Sequence, residues 1–143
     1  MATITAANSI FMLSVATIFP APIKLQGYGP DDAFDTASLP VGETQIGVDG
    51  ILAGGFVYSA VEQDITLLAS SASNALFDQW YQAMIQAQDA YSASATILLP
   101  GLGTKWTMTN GFLIDYMIIP NVKRLVQPRR HKIRWQSAVS API

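Results

Sequence analysis

Apolar and polar positions alternate with a period of two along most of the chain, and turn residues arrive at the spacing of an all-β domain. Ile10–Phe19 and Ile23–Gly27 read as strands. Pro20-Ala21-Pro22 separates them, because proline lacks the N–H that a continuing central strand needs. The alternation then stops. Residues 28–43, with Gly29-Pro30-Asp31-Asp32 near the start, hold two prolines and three aspartates and read as a long loop of the kind that carries function or reaches a partner. Thr44–Val48 and Ile51–Val61 read as strands joined at Asp49-Gly50, a hairpin signal because a type I′ turn needs positive φ. Ile65–Ala69 follows as another strand.

One segment changes period. In Ser73–Tyr91, Leu76, Phe77, Trp80, Tyr81, Met84, Ile85 and Ala87 recur every three or four residues, while Asp78, Gln79, Gln82, Gln86 and Asp89 take the other face. This predicts a helix with Ser71 or Ser73 as N-cap, its aromatic stripe packed into the core rather than around a ligand. Beyond it, Ala95–Leu99 and Lys105–Thr109 read as strands around the turn Pro100-Gly101-Leu102-Gly103. Asn110-Gly111 reads as a hairpin turn into Phe112–Ile119. Pro120–Gln127 is a basic connector. In His131–Val139, the side chains of Ile133, Trp135 and Val139 point one way and those of Lys132, Arg134 and Gln136 the other. About eight strands and one helix predict a mainly β fold, an antiparallel β-barrel or sandwich with one flanking α-helix. It forms a single domain over 1–143, with residues 1–9 as an uncharged N-terminal arm.

Composition narrows the function. Of 143 residues, 50% are apolar and only 13% charged, about half the usual charged fraction. A folded monomer of this mass exposes roughly 7,200 Å², so its few charges are spread thinly enough to expect that other protein covers much of the surface. Net charge is −2 and there is no cysteine, which excludes disorder, a disulfide scaffold and any thiolate-ligated metal. Residues 1–23 carry no charged side chain, yet no Lys or Arg precedes the apolar run and Pro20 and Pro22 interrupt it. Neither a secretory leader nor a membrane span is expected.

Catalytic and cofactor signatures are missing. Pro100–Lys105 lacks the Walker spacing and precedes a β pattern rather than a helix, and Gly47, Gly50, Gly54 and Gly55 lack the dinucleotide spacing. No cofactor or metal is expected, and nothing argues for an enzyme. His131, the single histidine, reads as a surface strand residue whose basic neighbours depress its pKa. Asp31, Asp32 and Asp35 form the densest carboxylate group. They read as a solvated loop or a subunit contact ahead of a cation site, since no full ligand spacing accompanies them.

Charge is segregated along the chain. Residues 1–100 hold nine acids and one base, Lys24; residues 101–143 hold seven bases and one acid, Asp115. The bases Lys123, Arg124, Arg129, Arg130, Lys132 and Arg134, with Trp135 among them, suit a small nucleic-acid-binding module on the C-terminal strand. Against that stand the acidic total and an alternation that turns Trp135 away from Lys132 and Arg134. A basic face meeting an acidic face on the next copy accounts for both halves, and such a head-to-tail contact closes rings or propagates filaments.

Four segments resemble a known family: Gly47-Val48-Asp49-Gly50-Ile51-Leu52-Ala53-Gly54-Gly55-Phe56-Val57, Ser73-Asn74-Ala75-Leu76-Phe77-Asp78-Gln79-Trp80-Tyr81, Thr109-Asn110-Gly111, and Val126-Gln127-Pro128 through Trp135. They resemble inner tail tube proteins of contractile-tailed bacteriophages, in the same order over most of residues 8–142, and type VI secretion tube proteins are similar in architecture. The resemblance implies a structural virion protein that self-assembles into hexameric rings whose strands join in a continuous inner barrel. The rings stack into a tube that conducts genomic DNA. It implies sheath, baseplate and terminator proteins as partners, the virion tail as location, and assembly in the host bacterial cytoplasm. On this reading Asp31, Asp32, Asp35 and the six bases named above are candidate subunit contacts, and Asp49, Glu62, Asp64 and Asp115 candidate bore residues. A completion, adaptor or fibre protein of the tail is the alternative.

Overall fold

In a computed structural model, which describes residues 9–28 and 34–143, the alternating segments become nine strands and the period-3.6 segment one helix. In chain order these are β1 (Ile10–Val15), β2 (Phe19–Lys24), β3 (Phe34–Thr36), β4 (Gly42–Ile46), β5 (Leu52–Phe56), β6 (Val61–Leu67), α1 (Asn74–Ala87), β7 (Ala93–Leu99), β8 (Thr104–Asp115) and β9 (Arg129–Pro142). Seven strands form an antiparallel sheet in the order β2-β1-β7-β8-β9-β6-β3; β4 and β5 form a separate two-stranded sheet among the described residues. Alternation decides the faces. Phe11, Leu13 and Val15 of β1, Val61, Ile65 and Leu67 of β6, and Ile133 and Trp135 of β9 are buried together on one side of the sheet. Helix α1 lays Phe77 and Trp80 onto that core, with Leu76 and Met84 packed at its margin, so the aromatic part of the stripe is core as expected, while Ile85 and Ala87 at its C-terminal end are exposed. The sheet curls without closing a barrel. Phe34 on β3, at one end of the strand order, meets Phe11 of β1 edge-on at 5.5 Å between ring centres.

The turns differ from expectation in instructive ways. Pro20 and Pro22 do not separate two strands but lie within β2, which tolerates them because it is the outermost strand and its register with β1 slips where they sit. The long loop contains the short strand β3, paired to β6; Asp31, Asp32 and residues 1–8 of the N-terminal arm lie outside the described residues. The expected strand Ile51–Val61 is two: β5 ends at Phe56 and β6 begins at Val61, ending at Leu67 rather than Ala69. Asp49-Gly50 does turn a hairpin, but as a three-residue loop in which only Gly50 has positive φ (83°), with the Gly47 N–H donating to Ile51 O at 3.0 Å.

The largest departure is Asn110-Gly111. It is not a hairpin turn: β8 runs straight through it from Thr104 to Asp115, with a bulge relative to β7 and φ of 50° at Asn110. Ser71 and Ser73 do not cap α1 with their side chains. The Gln26 N–H donates to Ser73 Oγ at 2.7 Å and Ser71 Oγ–H donates to Gln26 O, so the two serines hold the chain leaving β2. The helix ends at Ala87, short of Tyr91, because Gln88 turns left-handed. On β9 the facing changes after Trp135, leaving Val139 exposed instead of aligned with the core. Among the described residues no helix is long and apolar enough to cross a membrane.

Candidate assembly surfaces

A buried clamp ties helix to sheet. His131 of β9, read from sequence as a surface residue, is wholly buried. It stacks on Phe77 at 4.3 Å and on Tyr116 at 5.4 Å, and Tyr81 continues the column against Tyr116 at 4.7 Å. Asn74 donates to Leu68 O at 2.9 Å, which leaves its Oδ1 facing His131 Nε2 at 3.4 Å as an acceptor, so Nε2 carries the proton. Among the described residues, His131 Nδ1 is then buried without a hydrogen-bond partner. Burial, reinforced by the Arg129 guanidinium and only partly opposed by Asp78, pulls the imidazole down to about 4. The expected direction holds; burial rather than a basic surface is its chief cause.

Arg129 belongs to the same clamp. Its Nη2 donates to Asp78 Oδ1 at 2.8 Å and to Met117 O at 2.8 Å, and its Nε donates to Met117 O at 2.9 Å. Tyr116 Oη–H also donates to Asp78. Burial alone would raise the Asp78 carboxyl, but the Arg129 and Tyr116 hydrogen bonds outweigh it and hold it below the ordinary carboxylate range. Arg129 therefore fastens the interior, fixing the chain that leaves β8, rather than presenting a charge to another copy. Asp78 and Tyr116 were invisible as a pair in the sequence: a helix aspartate beside Phe77 reads as solvated, and its partners lie 38 and 51 positions away.

The opposite face of the sheet carries a ladder of opposite charges. Register places Glu62 across from Arg134 and Asp64 across from Lys132. Arg134 Nη2 meets Glu62 at 2.6 Å, Arg130 bridges Asp35 at 3.0 Å and Asp64 at 3.3 Å, and Lys132 reaches Asp115 at 4.0 Å. The charges segregated along the sequence thus meet within one chain. Asp35, Glu62, Asp64, Asp115, Arg130, Lys132 and Arg134 share this face; Asp49 lies apart, at the β4–β5 tip. As exposed pairs they contribute little: a double-mutant cycle on Glu62 and Arg134 by thermal unfolding is expected to give a coupling of about 0.2–1 kcal/mol that shrinks with added salt. A salt-insensitive coupling above that range would show the pair to be desolvated.

Two protrusions complete the surface. Every residue of β4 and β5 is exposed on both faces, including Ile46, Leu52 and Phe56. The loop from Ile118 to Val126, rooted by Arg129, is closed by a Val122–Val126 bridge and a Gln127 N–H bond to Asn121 O at 2.8 Å. It exposes Ile119, Val122 and Leu125 beside Lys123 and Arg124. Among the described residues no ion pair reaches Lys123 or Arg124, and no cluster of three His, Asp or Glu could hold a metal.

Solved structures share this fold over nearly their whole length. A chain of the tube-terminating cap of the anti-feeding prophage aligns with a TM-score of 0.64 at 12% identity, covering 100% of this chain and 93% of its own. A chain of the sheath–tube complex of the extracellular contractile injection system PVC aligns at 0.62 and 14%, covering 93% and 88%. A chain of the anti-feeding prophage baseplate aligns at 0.61 and 14%, covering 99% and 98%. The fold that the resemblance to tail tube proteins implied is therefore the fold present. Among curated proteins, none matches the chain. The sequence profile of one family, described as Tail fiber protein gp32, matches residues 2–139, and the chain belongs to that family.

Proposed function

We propose that the protein is a structural subunit of a contractile tail that closes into hexameric rings, and that the rings stack as an inner tube conducting DNA. The observation that carries this reading is the end-to-end likeness in fold to chains from a tube-terminating cap, a sheath–tube complex and a baseplate. Two apolar protrusions outside the core supply surface for contacts between copies. The ion-paired sheet face, with four acids against three bases, suits a wall that neither binds nor strongly repels a passing polyanion. Because the bases of β9 are engaged by acids of the same chain, they supply little for a nucleic-acid-binding module. The role is structural rather than catalytic: His131, Asp78, Tyr116 and Arg129, whose protonation equilibria are shifted, join helix to sheet. Sheath, baseplate and terminator proteins are the partners on this reading, and the virion tail, assembled in the host cytoplasm, is the location.

A second reading, a trimeric fibre component, is favoured by the family's description. Negative-stain electron microscopy with native mass spectrometry across a concentration series separates the two. Six-fold rings or tubes with a central hole are expected. Trimers without a hole would select the fibre, and a monomer at every concentration would overturn the ring.

A further inference from the structure

We infer that the β4–β5 hairpin of one copy docks on the 118–126 loop of the next. The inference rests on the reading above, that copies of this chain assemble, and adds which two surfaces meet. Both elements lie outside the core, and both display exposed apolar side chains: Ile46 and Phe56 of the hairpin are 67% and 70% exposed, Ile119 and Leu125 of the loop 72% and 74%. Their charges are opposite. From Val41 to Tyr58 the only charged residues are Glu43 and Asp49; from Met117 to Pro128 they are Lys123 and Arg124.

Among the described residues, these four charges remain outside the ion pairs that neutralise Asp35, Glu62, Asp64, Asp115, Arg130, Lys132 and Arg134. Two acids among the apolar side chains of the hairpin and two adjacent bases between Val122 and Leu125 of the loop form a complementary pair, the arrangement that fixes register and rejects wrong partners. The two surfaces are different, so the contact is head-to-tail and repeats from copy to copy. The loop is held for the encounter by Arg129, whose three bonds to Met117 O and Asp78 anchor its root; the hairpin is kept narrow by five consecutive β4–β5 pairings.

Charge reversal gives a test with a built-in control. The variant Lys123→Glu with Arg124→Glu presents acids on both surfaces, and Glu43→Lys with Asp49→Lys presents bases on both. Each alone is expected to lose assembly at least tenfold in the concentration it requires while keeping the wild-type melting temperature. Mixed one to one, they are expected to co-assemble at the wild-type concentration. Cross-linking reads the contact directly, because the chain has no cysteine of its own: a Val48→Cys chain and a size-tagged Leu125→Cys chain, mixed and oxidised, are expected to give the tagged–untagged heterodimer well above either homodimer. If wild-type protein forms rings while the mixture neither co-assembles nor cross-links, the docking is wrong and the ring reading stands. If wild-type protein forms no assembly, both fall.

Discussion

Alanine at position 111 is expected to destabilise the protein by roughly 3 kcal/mol, near the upper end for overpacking a core, and to lower the melting temperature by about 10 °C. A Cβ built on Gly111 would lie 2.2 Å from Cε3 of Trp135 and 2.4 Å from Cζ3. The indole has nowhere to go. It is wholly buried, and its Nε1–H donates to Gln63 Oε1 at 3.2 Å, while Gln63 Nε2 in turn donates to Thr36 Oγ1 at 3.3 Å. Moving the ring therefore costs a buried hydrogen bond as well as packing. Urea and thermal unfolding of Gly111→Ala, of Trp135→Phe and of the double variant measure this. The smaller ring relieves the clash, so the double variant should be less destabilised than the sum of the two. Strict additivity would show that the indole does not lie on the glycine.

Acid should weaken the fold through His131 before it reaches the carboxylates. The imidazole titrates at about 4 in the folded protein and near 6.5 in the unfolded chain. Above 6.5 both states are neutral and the buried stack contributes fully. As the pH falls from 6.5 to about 4 the unfolded chain takes up a proton that the folded one refuses, and stability on the order of 3 kcal/mol is lost. Protonation would give Nδ1 a hydrogen with no acceptor among the described residues, beside the Arg129 cation. Asp78 acts lower, because its folded pKa is depressed and its contribution is lost only as the pH falls through the carboxylate range. Stability curves from pH 8 to 4 should thus decline for the wild type and flatten for His131→Phe, which keeps an aromatic ring between Phe77 and Tyr116. Equal slopes in the two proteins would remove His131 from the acid response.

Most of the strands, the helix and its buried stripe were legible because each follows from a local period. What escaped was decided at a distance. Asn110-Gly111 carries the residues of a tight hairpin, and only the presence of Trp135 opposite, 24 positions on, makes the same pair a bulge in an unbroken strand. His131 falls in a basic run, yet Ile133 and Trp135 at two-residue spacing put it on the core face. The alternation contained that information, and the neighbouring charges obscured it. The segregated charges were read as meeting between copies, but the register of β6 with β9 brings most of the pairs together within one chain. Nothing local marks β4–β5 as standing apart from the main sheet, since a hairpin reads the same whether or not a third strand covers it.

The prolines of β2 bear on solubility. An outermost strand ordinarily offers a row of amide donors on which foreign strands can grow, the first step toward cross-β aggregation. Pro20 and Pro22 remove two donors from a six-residue strand, and at the other border of the sheet β3 is only three residues long. The seven-stranded sheet thus presents two poor templates for amyloid-like stacking. Imino rings at one border and brevity at the other make this sheet a poor seed for edge-to-edge growth.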